Sequence, residues 1–587
     1  MLLLGILHLV ETFAACGHDA DCECPRRPVY PRILSVIGEA SVCYEVVWVV
    51  KYIFVTGGVM SGIGKGIITA SIGRILQVRG YSVTTIKIDP YLNVDAGTMN
   101  PIIHGEVFVT EDGGEIDMDL GTYERFLDIN LSKDHNITTG QVYLSVMDKE
   151  RRGDFLGRCV QIIPHITDEI KHRIMSIAER NKVDVIITEI GGTVGDIESQ
   201  PYLEAARQMR IEQGFDNILS SHVTLVPVLD VVGEQKTKPT QHSVQELRRI
   251  GIQPDMIVAR SKTPLMLGPK KKIALFCNVE ERAVFTSPDM KCIYESPRIL
   301  DEQGMGDYVC ERLRLTCRTP DWNDWQKVVS AFTNPKYSTK IAMCGKYAEL
   351  ADSYVSVNEA LRHGGAACDA RVEIDWVETE LFENEPQKTG LLSEYDGILI
   401  PGGFGARGPE GKIKAIEYAR ENNIPFLGIC FGFQLAVVEY SRHLGLEQAN
   451  SVEIDPKTPH PVIDLMPEQR GIDHMGATMR LGAHEIKVKP KTLAYSLYKT
   501  ETIYERHRHR YEVNQEYNAK IAEKGLVFSG MSTDGTRMEI LELPTHSFFL
   551  ATQFHGEFKS RPRRPSPPYY GFVKSALQKR IARQQPS

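Results

Sequence analysis

The chain has 587 residues and a formal net charge of -8, room for about three to five structural units. Its 42% hydrophobic and 25% charged residues exclude a fibre or a disordered chain; the negative charge argues against bulk nucleic-acid binding and leaves local nucleotide binding open. The 12 cysteines have no regular spacing, the length excludes a small disulfide scaffold, and no run of about 20 apolar residues could span a membrane.

Residues 1–50 read as an atypical extension holding Cys16, Cys22, Cys24 and Cys43. Met1 to Val10 is apolar but lacks the positive flank of a signal peptide. Cys22 and Cys24 have no second ligand pair nearby, so they read as thiols and not as half of a zinc site. An ordered strand begins at Lys51, and natural translation is expected to start near Val50. An intact mass that includes Met1 would refute that start.

From there short apolar runs alternate with helical patterns. The expected strands are Tyr52–Thr56, Ser82–Ile88, Val183–Ile190, Val223–Leu229, Asp255–Ala259 and Ile273–Cys277, then Lys340–Cys344, Gly397–Ile400, Pro425–Ile429 and Phe548–Phe554. Continuous apolar strands between amphipathic helices predict an α/β fold: two doubly wound domains with mainly parallel sheets. The polar, tryptophan-bearing stretch 316–338 reads as the connection. The expected division is 51–315, linker 316–338 and 339–587.

Between the first strand and its helix stands Thr56-Gly57-Gly58-Val59-Met60-Ser61-Gly62-Ile63-Gly64-Lys65-Gly66. Glycines let backbone N–H groups close around phosphate oxygens at a helix N-terminus, and Lys65 adds a cation. The spacing departs from the usual phosphate loop, and Gly66 stands where that loop has Ser or Thr. The alternative is a turn needed only for helix–sheet packing. Carboxylates follow in Glu111–Asp119 and in Glu189–Glu198. Beside a phosphate loop they suit a hard cation; otherwise they are solvated loops. Lys236-Thr237-Lys238-Pro239-Thr240-Gln241-His242 offers cations and hydroxyls to a triphosphate, though alone it reads as a loop.

Taken in order, Tyr52–Lys65, Lys87–Asp95, His104–Gly113, Gly191–Ser199 and Lys236–His242 resemble the amidoligase domain of the CTP synthases, and the resemblance runs from about Lys51 to the C-terminus. It implies ATP and phosphate binding by Ser61, Gly62, Ile63, Gly64, Lys65, Gly66, Ile67, Lys87 and Asp119, and Mg2+ held by Asp119 and Glu189. It implies UTP or CTP binding by Ser61, Asp196, Ile197, Glu198, Lys236, Thr237, Lys238, Pro239, Thr240, Gln241 and Lys272. Pro288–Met290 occupy the adenine-side segment, where Pro288 departs from the family pattern.

In the second half, Gly428-Ile429-Cys430-Phe431-Gly432 ends a strand and opens a helix. That spacing is a nucleophile elbow with cysteine in place of serine, and the helix N-terminus favours the thiolate. The alternative, a buried structural cysteine, does not account for the flanking glycines. His555 can act as base and Glu557 can orient it. Pro401-Gly402-Gly403-Phe404-Gly405 and the N–H of Phe431 can form an oxyanion hole. These pieces resemble a class I glutamine amidotransferase with triad Cys430, His555 and Glu557, and the resemblance implies glutamine binding by Gly403, Phe431, Gln434, Glu453 and Arg510. Gly556 replaces the family's proline, and His555 is expected to be held less firmly but to stay active. The run Glu505-Arg506-His507-Arg508-His509-Arg510-Tyr511 reads as substrate-binding and structural, not metal-binding.

Together the resemblances imply ATP-dependent amination of UTP to CTP with ammonia from glutamine, through a 4-phosphoryl intermediate. They further imply Mg2+, GTP activation, CTP feedback, a cytoplasmic homotetramer, and neither nucleic-acid nor membrane partners. The rival readings are another glutamine-dependent amidoligase, against which Asp196–Glu198 and Lys236–Gln241 speak, and a non-catalytic filament-forming homologue, against which Lys65, Cys430, His555 and Glu557 speak.

Overall fold

The computed structural model describes residues 29–33, 44–100, 104–229, 233–345, 351–403, 408–471 and 476–584. Cys16, Cys22, Cys24 and Cys43 lie outside the described residues, as do Phe404 and Gly405. Ahead of the first domain, Val29–Ile33 pairs antiparallel with Tyr44–Trp48.

The first sheet contains β1 (Lys51–Gly57), β2 (Val83–Asp89), β5 (Asn136–Thr138), β6 (Val185–Ile190), β7 (Ile218–Leu225), β8 (Met256–Ser261) and β9 (Val284–Pro288); β3 (Val107–Val109) and β4 (Glu115–Asp117) form a separate hairpin. The order β9-β8-β7-β1-β6-β2-β5 is parallel throughout. β1 and β2 are buried at every residue, because helices cover both faces and leave no solvent side to alternate with. The chain leaves β1 in one direction and later returns to its other side, so the crevice at its C-terminal end is a switch point, where such sheets take ligands. Helix α1 (Lys65–Gln77) starts there, and α2 (Met118–Leu127) follows the hairpin, capped by the Asp117 side chain.

Two expected strands are corrected. Ile273–Cys277 lies in helix α4 (Leu267–Cys277), which follows α3 (Lys238–Arg249). Ile273, Ala274 and Cys277 face inward while Leu275 and Phe276 are exposed, so the apolar run is one helix face plus two surface residues. Val223–Leu229 is displaced: β7 begins at Ile218 and ends at Leu225. Pro227 cannot extend the ladder, and the buried polar residues Ser220, Ser221 and His222 hide the strand's first half in sequence.

The second sheet comprises β10 (Tyr337–Gly345), β11 (Ala370–Glu378), β12 (Gly397–Ile400), β13 (Phe426–Ile429), β14 (Arg480–Val488), β15 (Thr502–His509), β16 (Val527–Ser532), β17 (Met538–Glu542) and β18 (Phe549–Thr552), ordered β11-β10-β12-β13-β18-β17-β16-β14-β15. The first five strands in that order run parallel and the rest antiparallel. Stretch 316–338 is not all loop: α5 (Asn323–Thr333) buries Trp325, Val328 and Val329. Helices α6 (Val355–Ala367), α7 (Phe431–His443) and α8 (Pro567–Gln584) pack on the second sheet. The fold is therefore two α/β domains. Among the described residues no helix is long and apolar enough to cross a membrane.

A buried ionic seam joins the domains. Glu124 of α2 is fully buried and accepts from Arg506 Nη1 at 2.9 Å and Nη2 at 3.2 Å, from Arg561 Nη2 at 2.5 Å and from Leu131 N at 2.7 Å. Arg508 Nε donates to Glu115 at 2.8 Å. Removing one partner of such a pair strands a buried charge. Glu124→Ala is expected to cost about 3–5 kcal/mol, read as a lower urea midpoint; an unchanged midpoint would show the seam to be energetically idle.

Candidate functional site

The phosphate loop ends with Gly64 at φ 93°, capping α1, a conformation that favours glycine. Lys65 opens the helix, and its Nζ donates to Gly192 O at 2.7 Å. The N–H of Val194 donates to Gly57 O at 2.8 Å, so segment 191–198 lies directly against the loop. Burial lowers the Lys65 pKa, which keeps the ammonium costly until an anion arrives.

Beneath it lies a charge cluster. Lys87 Nζ contacts Glu189 Oε1 at 3.0 Å and Asp119 Oδ2, with Asp117 at 3.8 Å and Asp89 at 3.9 Å. Burial alone would lower the Lys87 pKa, but Asp119 and Glu189 outweigh it and raise it well above its ordinary value. Burial pushes the Asp117 carboxyl up to about 7. Tyr123 Oη and Thr69 Oγ1 donate to Glu189 Oε2. Among the described residues no three His, Cys, Asp or Glu side chains form a metal-holding group. Asp119 and Glu189 nonetheless converge on one point, now held by Lys87, and two hard carboxylates completed by phosphate oxygens suit Mg2+.

The departure at Gly66 has a direct cause. A Cβ there would collide with Asp119 Oδ1. The space a hydroxyl side chain takes in the usual phosphate loop belongs here to a carboxylate from α2.

The exposed turn Asp196-Ile197-Glu198 is shaped by Thr193 N donating to Asp196 Oδ2 at 2.7 Å. Thr237 accepts from Gln241 Nε2 at 3.0 Å at the start of α3. A chain from Thr56 Oγ1 to His222 Nδ1 (2.8 Å) and from His222 Nε2 to Ser243 Oγ (2.8 Å) fastens α3 to β1. Burial drops the His222 pKa to about 3, so the link is neutral. Lys236 pairs with Glu234 at 2.5 Å, and Lys272 acts electrostatically on the same carboxylate. Arg260 lies against Gly64 and donates to Pro288 O at 2.7 Å, tying the Pro288–Met290 segment to the loop. Sequence reasoning missed Arg260, His222 and Tyr123; only the strand-end position of Arg260 signals it.

In the second domain the C-terminal ends of β12, β13 and β18 lie side by side and carry Gly402, Cys430 and His555. Cys430 is 4% exposed with φ 51° and ψ −97°, a strained backbone that the nucleophile elbow requires. Its N–H donates to Thr552 O at 2.7 Å, and Gln553 Nε2 lies 3.7 Å from Sγ. His555 Nδ1 sits 2.7 Å from Glu557 Oε1, and Tyr569 Oη donates to Glu557 Oε2 at 3.1 Å. Burial opposes the imidazolium, but Glu557 and then Cys430 raise the His555 pKa to about 10. Cys430 and His555 line the same cavity, a nucleophile and a base on neighbouring strand ends.

Gly556 does not leave the imidazole loose: Glu557 pins it and Phe558 stacks on it at 5.1 Å. A Cβ at Gly556 would come within 2.8 Å of Ser566 Oγ. Proline there would push on Ser566, so the glycine fits its neighbour.

Cys430, His555, Glu557, Gly402 and Gly403 line a cavity of about 210 Å3 together with Glu106, Val107 and Arg508. Two of those, Glu106 and Val107, belong to the first domain. Of the expected glutamine-holding set, Gly403 lines this cavity. Phe431 is buried beside Cys430. Gln434 donates to Tyr511 O at 2.9 Å, and Glu453 and Arg510 both act on Tyr511. Arg510 donates to Gln469 at 2.6 Å and Thr478 at 2.9 Å. On β15 the side chains alternate: Arg506 and Arg508 reach the first domain, while His507 turns to buried Glu539 at 2.9 Å.

Fold and site define a glutamine-hydrolysing ligase. The family model for the CTP synthase N-terminus matches residues 51–315, and that for the class I glutamine amidotransferase matches 349–575. A CTP synthase of Pyrococcus furiosus is 61% identical over 528 residues, 90% of this chain and 98% of that protein; one of Carboxydothermus hydrogenoformans is 57% identical over 90% of this chain and 98% of its own length. The glutaminase domain of Trypanosoma brucei CTPS is 39% identical, covering 41% of this chain and 94% of that one, with a TM-score of 0.39. The chain belongs to the CTP synthase family.

Two outcomes test the geometry. Glu557→Gln removes the charge that raises the His555 pKa and leaves burial, which lowers it. The alkaline limb of glutamine hydrolysis should move to lower pH and kcat fall about a hundredfold or more; an unmoved limb would contradict the assignment. Gly66→Ala should displace Asp119 and cut ATP-dependent turnover about tenfold or more while glutamine hydrolysis persists. Retained turnover would show the approach to be unimportant.

Proposed function

We propose that the two sites catalyse one reaction: UTP, ATP, glutamine and water give CTP, ADP, phosphate and glutamate. The observation that carries this is the cavity holding Cys430, His555 and Glu557, walled on one side by Glu106 and Val107 of the nucleotide-binding domain. The domains are read as 51–315 and 339–587, joined by 316–338, with 1–50 an extension.

In the second domain the Cys430 thiolate attacks the glutamine carboxamide, and the N–H groups of Gly403 and Phe431 receive the oxyanion. His555, held by Glu557, gives its proton to departing ammonia and then activates the water that releases glutamate. Gln434, Glu453 and Arg510 grip the amino-acid end, Arg510 at the carboxylate. In the first domain UTP lies against Ser61, Asp196–Glu198, Lys236–Gln241 and Lys272. ATP lies on Ser61–Ile67, with its adenine toward Pro288–Met290. Lys65 and Lys87 neutralise the transferring phosphoryl group, which converts the poor leaving oxygen at C4 into a phosphate ester. Ammonia then displaces that phosphate. Asp119 and Glu189 would hold Mg2+, which would neutralise phosphate charge. GTP activation, CTP feedback, homotetramer assembly and a cytoplasmic location belong to the same reading.

Purified protein with UTP, ATP, Mg2+, GTP and glutamine should form CTP. Cys430→Ala should abolish glutamine-dependent CTP but keep ammonium-dependent CTP, and Lys65→Ala should lose both while retaining glutamine hydrolysis. CTP from neither nitrogen source in folded protein would overturn the reading. The same failure with glutamine alone would locate the fault in the second domain.

A further inference from the structure

Glu106 belongs to the first domain by sequence and to the second by contact. It immediately precedes β3. Its N–H donates to Asp352 O at 3.0 Å, and its Oε2 accepts from Ser356 N at 2.9 Å and Ser356 Oγ at 2.5 Å. Ser356 is the second residue of α6, where a side chain at the N-cap ordinarily satisfies the backbone donor. Here a carboxylate from the other domain does so. Arg125 Nη1, from the last turn of α2, reaches the same Ser356 Oγ at 3.3 Å.

What Glu106 fastens is the wall of the cavity. Glu106, Val107, Ser353 and Val357 line it together with Cys430 and His555. Val107, next in sequence, pairs in register with Asp117 across the β3–β4 hairpin, and the Asp117 side chain caps α2 by accepting from Asp119 N at 2.8 Å. At the hairpin's open end one strand thus lies in the wall of the cysteine cavity and the other at the carboxylate cluster of the phosphate site. Helix α2 repeats the connection, with Asp119 in its first turn and Arg125 in its last.

We propose that Glu106 is a positioning residue of the cavity wall, lent by the nucleotide-binding domain, and that its cap on α6 holds this wall in place so that ammonia is retained for CTP formation. The inference rests on the function proposed above. Without the cap, segment 353–357 and the Val107 strand lose their mutual anchor. Ammonia then escapes to solvent, while the chemistry at Cys430 and at the phosphate site remains intact.

The test uses the full chain and reads glutamate released per CTP formed, with ammonium-dependent CTP and the melting temperature measured alongside. In the parent the ratio should be about one. Glu106→Ala should raise it to about three or more, with ammonium-dependent CTP and the KM for glutamine each within about twofold of the parent. Glu106→Gln keeps an acceptor oxygen for Ser356 and should restore the ratio most of the way. Ser356→Ala, which keeps the backbone donor, should give an intermediate ratio and serves if Glu106→Ala does not fold. A lowered melting temperature with an unchanged ratio would reduce Glu106 to a structural contact and overturn the proposal. Loss of ammonium-dependent CTP in folded Glu106→Ala would place its action in the other site and also overturn it. A parent that makes no CTP from either nitrogen source would instead refute the function on which this inference depends.

Discussion

A fully buried carboxylate, Glu124, held by two guanidiniums of the other domain, Arg506 and Arg561, is the constraint on which the molecule's organisation rests. Charges removed from water are tolerated only when every partner is in place. The domains therefore have one energetically acceptable relative placement at this point. Arg508 with Glu115 extends the seam, and Ser356 with Glu106 carries it to the edge of the cysteine cavity. The strand that supplies Arg506 and Arg508 also positions the base: His555 N donates to Arg506 O at 2.8 Å. Interface and catalytic geometry thus share the same backbone.

The two sites solve opposite electrostatic problems. Around Lys87 four carboxylates crowd a buried ammonium, a concentration of negative charge that suits a cation and repels bare phosphate until one is bound. Around Cys430 a single carboxylate, Glu557, raises one imidazole. The cavity at Cys430, about 210 Å3, is lined by both domains, with Glu106 and Val107 coming from the first. A neutral amine released into water at neutral pH would largely protonate and lose its nucleophilicity, which gives a cavity walled by both domains a chemical purpose.

Much of this was legible in the sequence. The glycine loop before Lys65, the Gly428–Gly432 elbow and the His555–Glu557 pair are local patterns whose chemistry follows from spacing, and the structure brings each set together. Parallel strands buried on both faces announced themselves as apolar runs. Where the signal depended on partners distant in sequence, it failed. Ile273–Cys277 resembles a strand because two surface residues, Leu275 and Phe276, are apolar. β7 was concealed by buried polar residues, one of which, His222, is satisfied by Thr56 and Ser243. The role of Gly66 becomes clear only once Asp119 is seen beside it. The acidic run Glu111–Asp119 likewise gave no hint that its members divide between an interdomain seam and a phosphate site. The Arg–His alternation in 505–511 was visible, but its meaning needed the strand's two faces.

The most direct test of the account is the fate of the glutamine nitrogen. Glutamine labelled with nitrogen-15 at its amide is supplied with UTP, ATP, Mg2+, GTP and an excess of unlabelled ammonium, and the CTP is analysed by mass spectrometry. If the seam holds the two sites so that ammonia passes between them within the protein, most of the CTP formed with glutamine carries the label despite the excess. If the label in CTP is diluted to the composition of the surrounding ammonium, the nitrogen passes through bulk solvent, and the account of two sites joined across a shared wall is contradicted.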